Sequence, residues 1–230
     1  MIRRIPLLLA ALLALPAAAQ TSPWYLGAAL GQSKADSSLV RDREATIGNG
    51  NEPNLQSSSA LKDTAGKVFA GYRLSPLFAV EAHWTSLGKQ RIDTTFDVPF
   101  GLTGRGGVRT DRKTEGYGVD LLAGWEATPG LTLQAKIGAF RTDVTTDTTL
   151  SGDTSFADGT DGTFRSVSGN ETIVKYGLGA QYAVSKNLAV RLEWERLPDL
   201  GKKLETASSG AVGETDYDAW WLGVVFRFGV

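Results

Sequence analysis

The sequence predicts an all-β fold: an eight-stranded antiparallel up-and-down transmembrane β-barrel, with short turns at one end and four long loops at the other. Three observations predict it. Apolar and polar residues alternate with a period of two in eight separate stretches, and no stretch shows convincing helical periodicity. The connections alternate between tight and long, as in up-and-down barrels of bacterial outer membranes. The aromatics of the apolar face gather at both ends of the stretches and avoid their middles, as interfacial girdles do.

The stretches run near 24–33, 64–75, 77–87, 115–127, 131–141, 173–184, 188–196 and 217–228. Ser75-Pro76, Thr128-Pro129-Gly130 and Ser185-Lys186-Asn187 carry turn chemistry between paired stretches. The segments near 34–63, 88–114, 142–172 and 197–216 are polar and rich in Gly, Ser, Thr and Asp, and are expected as loops. One face of every stretch is free of charge, amide and glycine, for example Trp24, Leu26, Ala28 and Leu30, or Tyr117, Val119, Leu121, Ala123 and Trp125. Nine alternating residues, tilted by about 40°, rise roughly 23 Å, close to the apolar height of a membrane barrel. Trp24, Tyr72, Phe78, Trp125, Tyr182 and Phe228 fall at the tight-turn end, and Trp84, Tyr117, Tyr176, Trp194 and Trp220 at the long-loop end. These are the expected membrane-interface aromatics.

The opposite face holds nine glycines, among them Gly27, Gly71 and Gly138, which leave room in a narrow bore. It also carries Lys67, Arg73, Lys136, Lys175, Arg191 and Arg227 against Glu81, Asp120, Glu126, Glu193 and Glu195. Buried charges must pair, so an interior ion-pair network is expected from Lys67, Arg73, Glu81, Asp120, Lys136, Lys175, Arg191, Glu193, Glu195 and Arg227. A closed barrel also satisfies every backbone N–H and C=O within lipid.

Composition narrows the function. The chain has 230 residues, 24 Lys+Arg against 25 Asp+Glu, one histidine, no cysteine and 27 glycines. No cysteine excludes a disulfide framework, a thiolate metal site and a cysteine nucleophile. A single histidine excludes a multi-histidine metal site, so no metal or other cofactor is expected. Balanced charge argues against nucleic acid as a partner. The mean hydropathy of −0.13 resembles that of a soluble protein only because the two faces cancel. Met1-Ile2-Arg3-Arg4, the apolar run Ile5–Leu15 and Ala17-Ala18-Ala19 have the three parts of a secretory signal peptide, read as residues 1–19 with cleavage before Gln20. Residues 20–230 are then the barrel domain.

At this point the chain resembles a known family, the OmpA-like eight-stranded outer-membrane β-barrels. The resemblance is carried by Trp24-Tyr25-Leu26-Gly27-Ala28-Ala29-Leu30-Gly31, by Phe69-Ala70-Gly71-Tyr72-Arg73-Leu74-Ser75-Pro76, by Gln181–Val184 with Arg191–Trp194, and by Leu222–Phe228. It covers the barrel domain except the loops and includes no peptidoglycan-binding domain. It implies the outer membrane of a Gram-negative bacterium, periplasmic turns and extracellular loops. It implies outer-membrane lipids including lipopolysaccharide as neighbours, a monomer, and recognition of the last strand by the barrel assembly machinery, although Gly229 and Val230 follow the aromatic Phe228. It also implies a salt-bridge set at Glu81, Lys136, Arg191 and Glu193 that would gate conduction, with Leu122 at a position expected to be basic.

The resemblance suggests a non-enzymatic role in envelope integrity or surface contact through the loops. Three alternatives stand beside it: a narrow gated pore, a soluble periplasmic lipid-binding barrel, and a lipid A hydrolase built on Glu81, His83 and Thr85. Asp143, Asp147, Asp153, Asp158 and Asp161 form an acidic loop that would either hold calcium or be solvated. Lys89, Arg91, Arg105, Arg109, Arg112 and Lys113 form a basic loop that would either meet lipopolysaccharide phosphates or serve solubility.

Overall fold

A computed structural model of the chain describes residues 23–47, 54–97, 104–154, 162–201 and 214–228. Residues 1–19, read above as a signal peptide, and the terminal Gly229-Val230 lie outside the described residues. The strands are β1 (Trp24–Ala35), β2 (Gln56–Ala60), β3 (Lys62–Arg73), β4 (Phe78–Asp97), β5 (Arg105–Thr128), β6 (Leu131–Gly152), β7 (Phe164–Ala183), β8 (Leu188–Leu200) and β9 (Thr215–Arg227). All pairings are antiparallel. β1 pairs with both β3 and β9, and β4 with β5, so the sheet closes into a ring of eight positions. The ninth strand does not enlarge the ring. β2 pairs with β4 over Arg91–Thr95, directly beyond the β3–β4 pairing that ends at Gly66↔Ser86, so β2 and β3 share one position.

The tight turns use the chemistry their sequences announce. Ser75 Oγ accepts hydrogen bonds from the N–H groups of Leu77 and Phe78 at 3.2 and 3.0 Å. Ser185 Oγ does the same for Asn187 and Leu188 at 3.3 and 3.1 Å. Gly130 takes φ +83°, and its N–H donates to Glu126 at 2.9 Å. Inside the bore, Gly27 lies opposite Phe69 and Gly71 opposite Tyr25. Each aromatic ring occupies the space that a Cβ on its glycine would need. Paired small and large residues are how a narrow barrel fills itself.

Two expectations are corrected. The segments near 88–114 and 142–172 are largely strand: β4 to β7 continue eleven to thirteen residues past the outer aromatic girdle before their tips. That is a rise of roughly 30 Å on one side of the barrel. β8, β9, β1 and β3 stop three to six residues past the same level, so the wall is tall on one side and low on the other. The alternation was masked by a bulge. Three residues of β4 from Ser86 to Lys89 span two of β5, and Gly88 bridges the shift at φ +76°, with Asp63 accepting from Lys89 N–H at 2.6 Å. Beyond it, the inward parity moves from odd to even positions.

The second correction is a helix, α1 (Ser38–Thr46). Its inward face places Leu39 and Arg43 four residues apart, both buried. An arginine on the buried face hides the apolar periodicity that would have announced it.

Candidate functional site

Two regions have the order and burial of a functional site: the bore within the membrane and the wall above it. Period-two geometry sends alternate side chains to opposite faces. In the bore, Lys67, Lys136, Lys175 and Arg191 face Glu81, Asp120, Glu193 and Glu195, and all eight are buried. Nearest the turns, Arg191 Nη1 lies 2.6 Å from Glu81 Oε1, and its Nε donates to Gln181 Oε1 at 3.0 Å. Tyr25 OH donates to the same Glu81 oxygen at 2.8 Å. The arginine stacks over Phe69, 4.8 Å from the ring centre. In the next layer, Lys67 bridges Glu193 and Glu195 at 3.0 and 2.7 Å. Lys136 lies 3.0 Å from Glu193 and contacts Glu195. Lys175 joins Glu195 at 3.1 Å to Asp120 at 2.8 Å. Gln134 donates to Glu193 at 3.0 Å, and Trp221 Nε1 to Glu195 at 2.9 Å.

Four cations and four carboxylates balance across the two layers. Arg73 and Arg227, expected in the same network, stand outside it. Arg73 is exposed and Arg227 partly buried at the turn end, and no described carboxylate lies within ion-pair distance of either. The reason is position: both strands end there, where water reaches the mouth. Glu126, read on the same face, is exposed and serves the Gly130 turn. Tyr25, Gln134, Gln181 and Trp221 join the network as neutral partners. Their inward parity was the available signal, but a search for charges passes over them.

His83 faces the bore. Its Nδ1 lies 3.0 Å from Thr85 Oγ1 and its Nε2 3.5 Å from Asp120 Oδ1. A lipid substrate would come from the other face, where Ala82 and Trp84 stand exposed. A soluble lipid carrier does not fit this sidedness: Leu30, Val119, Leu121, Leu178 and Leu222 are exposed on the outside while the charges fill the inside.

The aromatics form two belts. Trp84 pairs across strands with Tyr117, and Trp194 with Trp220; Tyr176 meets Trp194 edge-on at 6.2 Å. At the turn end, Trp24 meets Tyr72 edge-on at 4.9 Å and Phe226 meets Phe228 at 5.2 Å. Phe78, Trp125 and Tyr182 are exposed at the same level.

Above the outer belt apolar clusters enter the interior beside buried threonines, Gln90, Arg112 and Glu171. Ala35, Leu39, Leu87, Ile92, Phe140, Val144, Leu197, Leu200 and Tyr217 form one buried cluster, and Phe96, Val108 and Leu150 another nearer the top. Helix α1 lies against this lining. Leu39 enters the first cluster, and Arg43 donates to the hydroxyls of Thr110 and Thr148, a cross-strand pair on β5 and β6.

The outer surface of the wall carries the charge. Arg91 pairs with Asp111 at 2.7 Å, Arg109 with Asp93 at 2.6 Å, Arg105 with Asp97 at 3.4 Å and Lys113 with Glu115 at 2.8 Å. Arg91, Arg105 and Arg109 are therefore neutralised across strands and Lys113 within β5, and Arg112 is turned inward, donating to Leu200 O at 3.0 Å. Of the acidic segment, Asp143 and Asp147 lie apart along β6, and Asp147 accepts from Ser166 at 2.6 Å; Asp158 and Asp161 lie outside the described residues. Among the described residues no group of three metal-ligating side chains occurs.

The chain matches the family model described as outer membrane protein beta-barrel domain over residues 5–228. Among solved structures, Neisserial surface protein A is 15% identical, with 90% of this chain and 98% of that chain covered and a TM-score of 0.50. OprG from Pseudomonas aeruginosa is 11% identical, with 92% and 98% covered and a TM-score of 0.47. Ail of Yersinia pestis is 13% identical, with 89% and 98% covered and a TM-score of 0.43. At such identities the likeness concerns the fold alone. A search of curated proteins finds no match. The closed ring, the outward apolar belt and the family match together make this chain a member of the outer membrane protein beta-barrel domain family, resident in the outer membrane.

Proposed function

We propose that the protein is a non-enzymatic surface-interaction protein that works through its extracellular wall, not a pore. The observation that carries this reading is the height and order of β4 to β7 beyond the outer belt, with apolar clusters in the lining and a charge-paired exterior. Chains that need only cross a membrane have no use for roughly 30 Å of extra sheet. The filled bore supports the same reading, since a through-channel would wet ions that are here buried. The barrel acts as a monomer within outer-membrane lipids including lipopolysaccharide, and the assembly machinery engages β9 through Phe226-Arg227-Phe228.

The test replaces residues 91–110 by a short turn, which trims β4 and β5 while leaving the belt intact. Heat-modifiable gel migration reports assembly. Cells carrying the trimmed barrel are expected to lose adhesion or serum survival. Trimmed barrels that assemble and match the full chain in both assays would sink the reading. His83→Ala is expected to leave lipid A acylation unchanged.

A second reading, a gated pore, is favoured by one observation: Glu195 is within reach of Lys67, Lys136 and Lys175 at once, so partners can be exchanged without stranding a charge. Stable bilayer conductance altered by Arg191→Met or Glu193→Gln would select it.

A further inference from the structure

The turn end of the barrel holds a cavity of about 50 Å³ lined by Arg73, Arg191 and Arg227, with Gln134, Gln181 and Leu122 among the other lining residues and no carboxylate. Throughout the bore above it, every cation sits against a carboxylate. Here Arg73 and Arg227 face one small space with no carboxylate among its lining residues, and only Arg191 beneath them is paired, with Glu81. Arg191 forms the floor. It is 4% exposed; its Nε is taken by Gln181 and its Nη1 by Glu81. Arg227 lies beside Tyr25 on β9, and Arg73 lies two residues beyond Gly71, the partner of Tyr25 on β3. The two thus flank β1 from either side, with backbones about 10 Å apart, within reach of a common centre for side chains of this length.

We propose that this mouth is a binding site for a small oxyanion of phosphate size entering from the periplasmic side. Like charges converging in a partly desolvated space repel, and an anion between them removes that repulsion. Guanidinium groups match the geometry of phosphate or carboxylate oxygens with paired N–H donors. Size limits the class: the space holds about three or four waters, enough for an inorganic oxyanion or a single headgroup phosphate and too small for a sugar or peptide. Leu122, where a basic residue was expected, supplies an apolar wall that weakens competition from water.

The two sources of such an anion, a free ion or a phospholipid headgroup, are separated by the experiment. Barrel recovered from outer membranes in a non-ionic detergent is titrated with inorganic phosphate at constant ionic strength by calorimetry. Saturable one-site binding is expected, about tenfold weaker in Arg73→Gln or Arg227→Gln and lost in the double variant. Arg109→Gln, on the far wall, is expected to bind as the parent does. Repeating the titration in nanodiscs of phosphatidylcholine with and without phosphatidylglycerol identifies the source: weaker apparent phosphate binding in the anionic discs assigns the site to a headgroup, and equal binding assigns it to the free ion. Phosphate uptake no greater in the parent than in the double variant, in detergent and in discs, overturns the proposal. Since neither arginine belongs to the buried network, both variants are expected to keep heat-modifiable migration.

Discussion

Below the outer aromatic belt the barrel wears apolar side chains outside and charges inside; above it the same strands turn most of their charges outward and line the interior with apolar residues and threonines. β4 shows both. Val80, Ala82 and Trp84 face lipid while Glu81, His83 and Thr85 face the bore, and past Gly88 it is Arg91, Asp93 and Asp97 that face out while Ile92 and Phe96 face in. The difference teaches that the solvent outside, and not the sheet, sets the polarity of each face. Lipid accepts no charge, so charges go inward and must neutralise one another. Water accepts them readily, so above the membrane most charges stay outside and the interior has room for apolar clusters among its threonines.

The comparison can be broken most forcefully at Lys136. Lys136→Met strands Glu193 and Glu195 beside fewer cations, and should cost about 3–5 kcal/mol in reversible urea unfolding in bilayers. A loss below 1 kcal/mol would mean that water penetrates the bore. Next comes the outer surface. Leu121 lies midway between Tyr117 and Trp125, so Leu121→Arg should cost about 2–4 kcal/mol. Thr149→Arg, at the outward face of the wall, should stay within about 0.5 kcal/mol in the same assay. Equal costs at the two sites would erase the distinction between belt and wall. The lining of the wall gives a smaller effect: Ile92→Val should cost about 0.5–1.5 kcal/mol, as in the core of a soluble protein. The smallest is expected at the exposed pair, where Arg91→Met should cost about 0.2–1 kcal/mol and less in high salt, in contrast to the buried pairs below.

Much of this was legible in the sequence. Parity alone sorts Trp24, Leu26, Ala28 and Leu30 from Tyr25, Gly27, Ala29 and Gly31, because it needs only neighbours in the chain. The serine turns at Ser75 and Ser185 are equally local. The wall was missed although Gln90, Ile92, Thr94 and Phe96 alternate cleanly with Lys89, Arg91, Asp93 and Thr95. Its polarity is inverted relative to the belt, its inward threonines look like loop residues, and the bulge at Gly88 breaks the phase. Helix α1 was missed because what buries Arg43 is a pair of threonines on distant strands.

The sequence by itself determined the eight positions of the ring, the face each side chain takes within the belt, the two aromatic girdles and the tight turns. Each follows from the period of a single strand and the chemistry of a few adjacent residues. Only the tertiary structure decided which carboxylate meets which cation, how high the wall stands, where α1 docks, and that Arg73 and Arg227 are left facing a cavity of their own. Those outcomes depend on register around a closed ring, where Lys67 meets Glu193 across 126 positions of chain. No local pattern encodes a contact made at that distance.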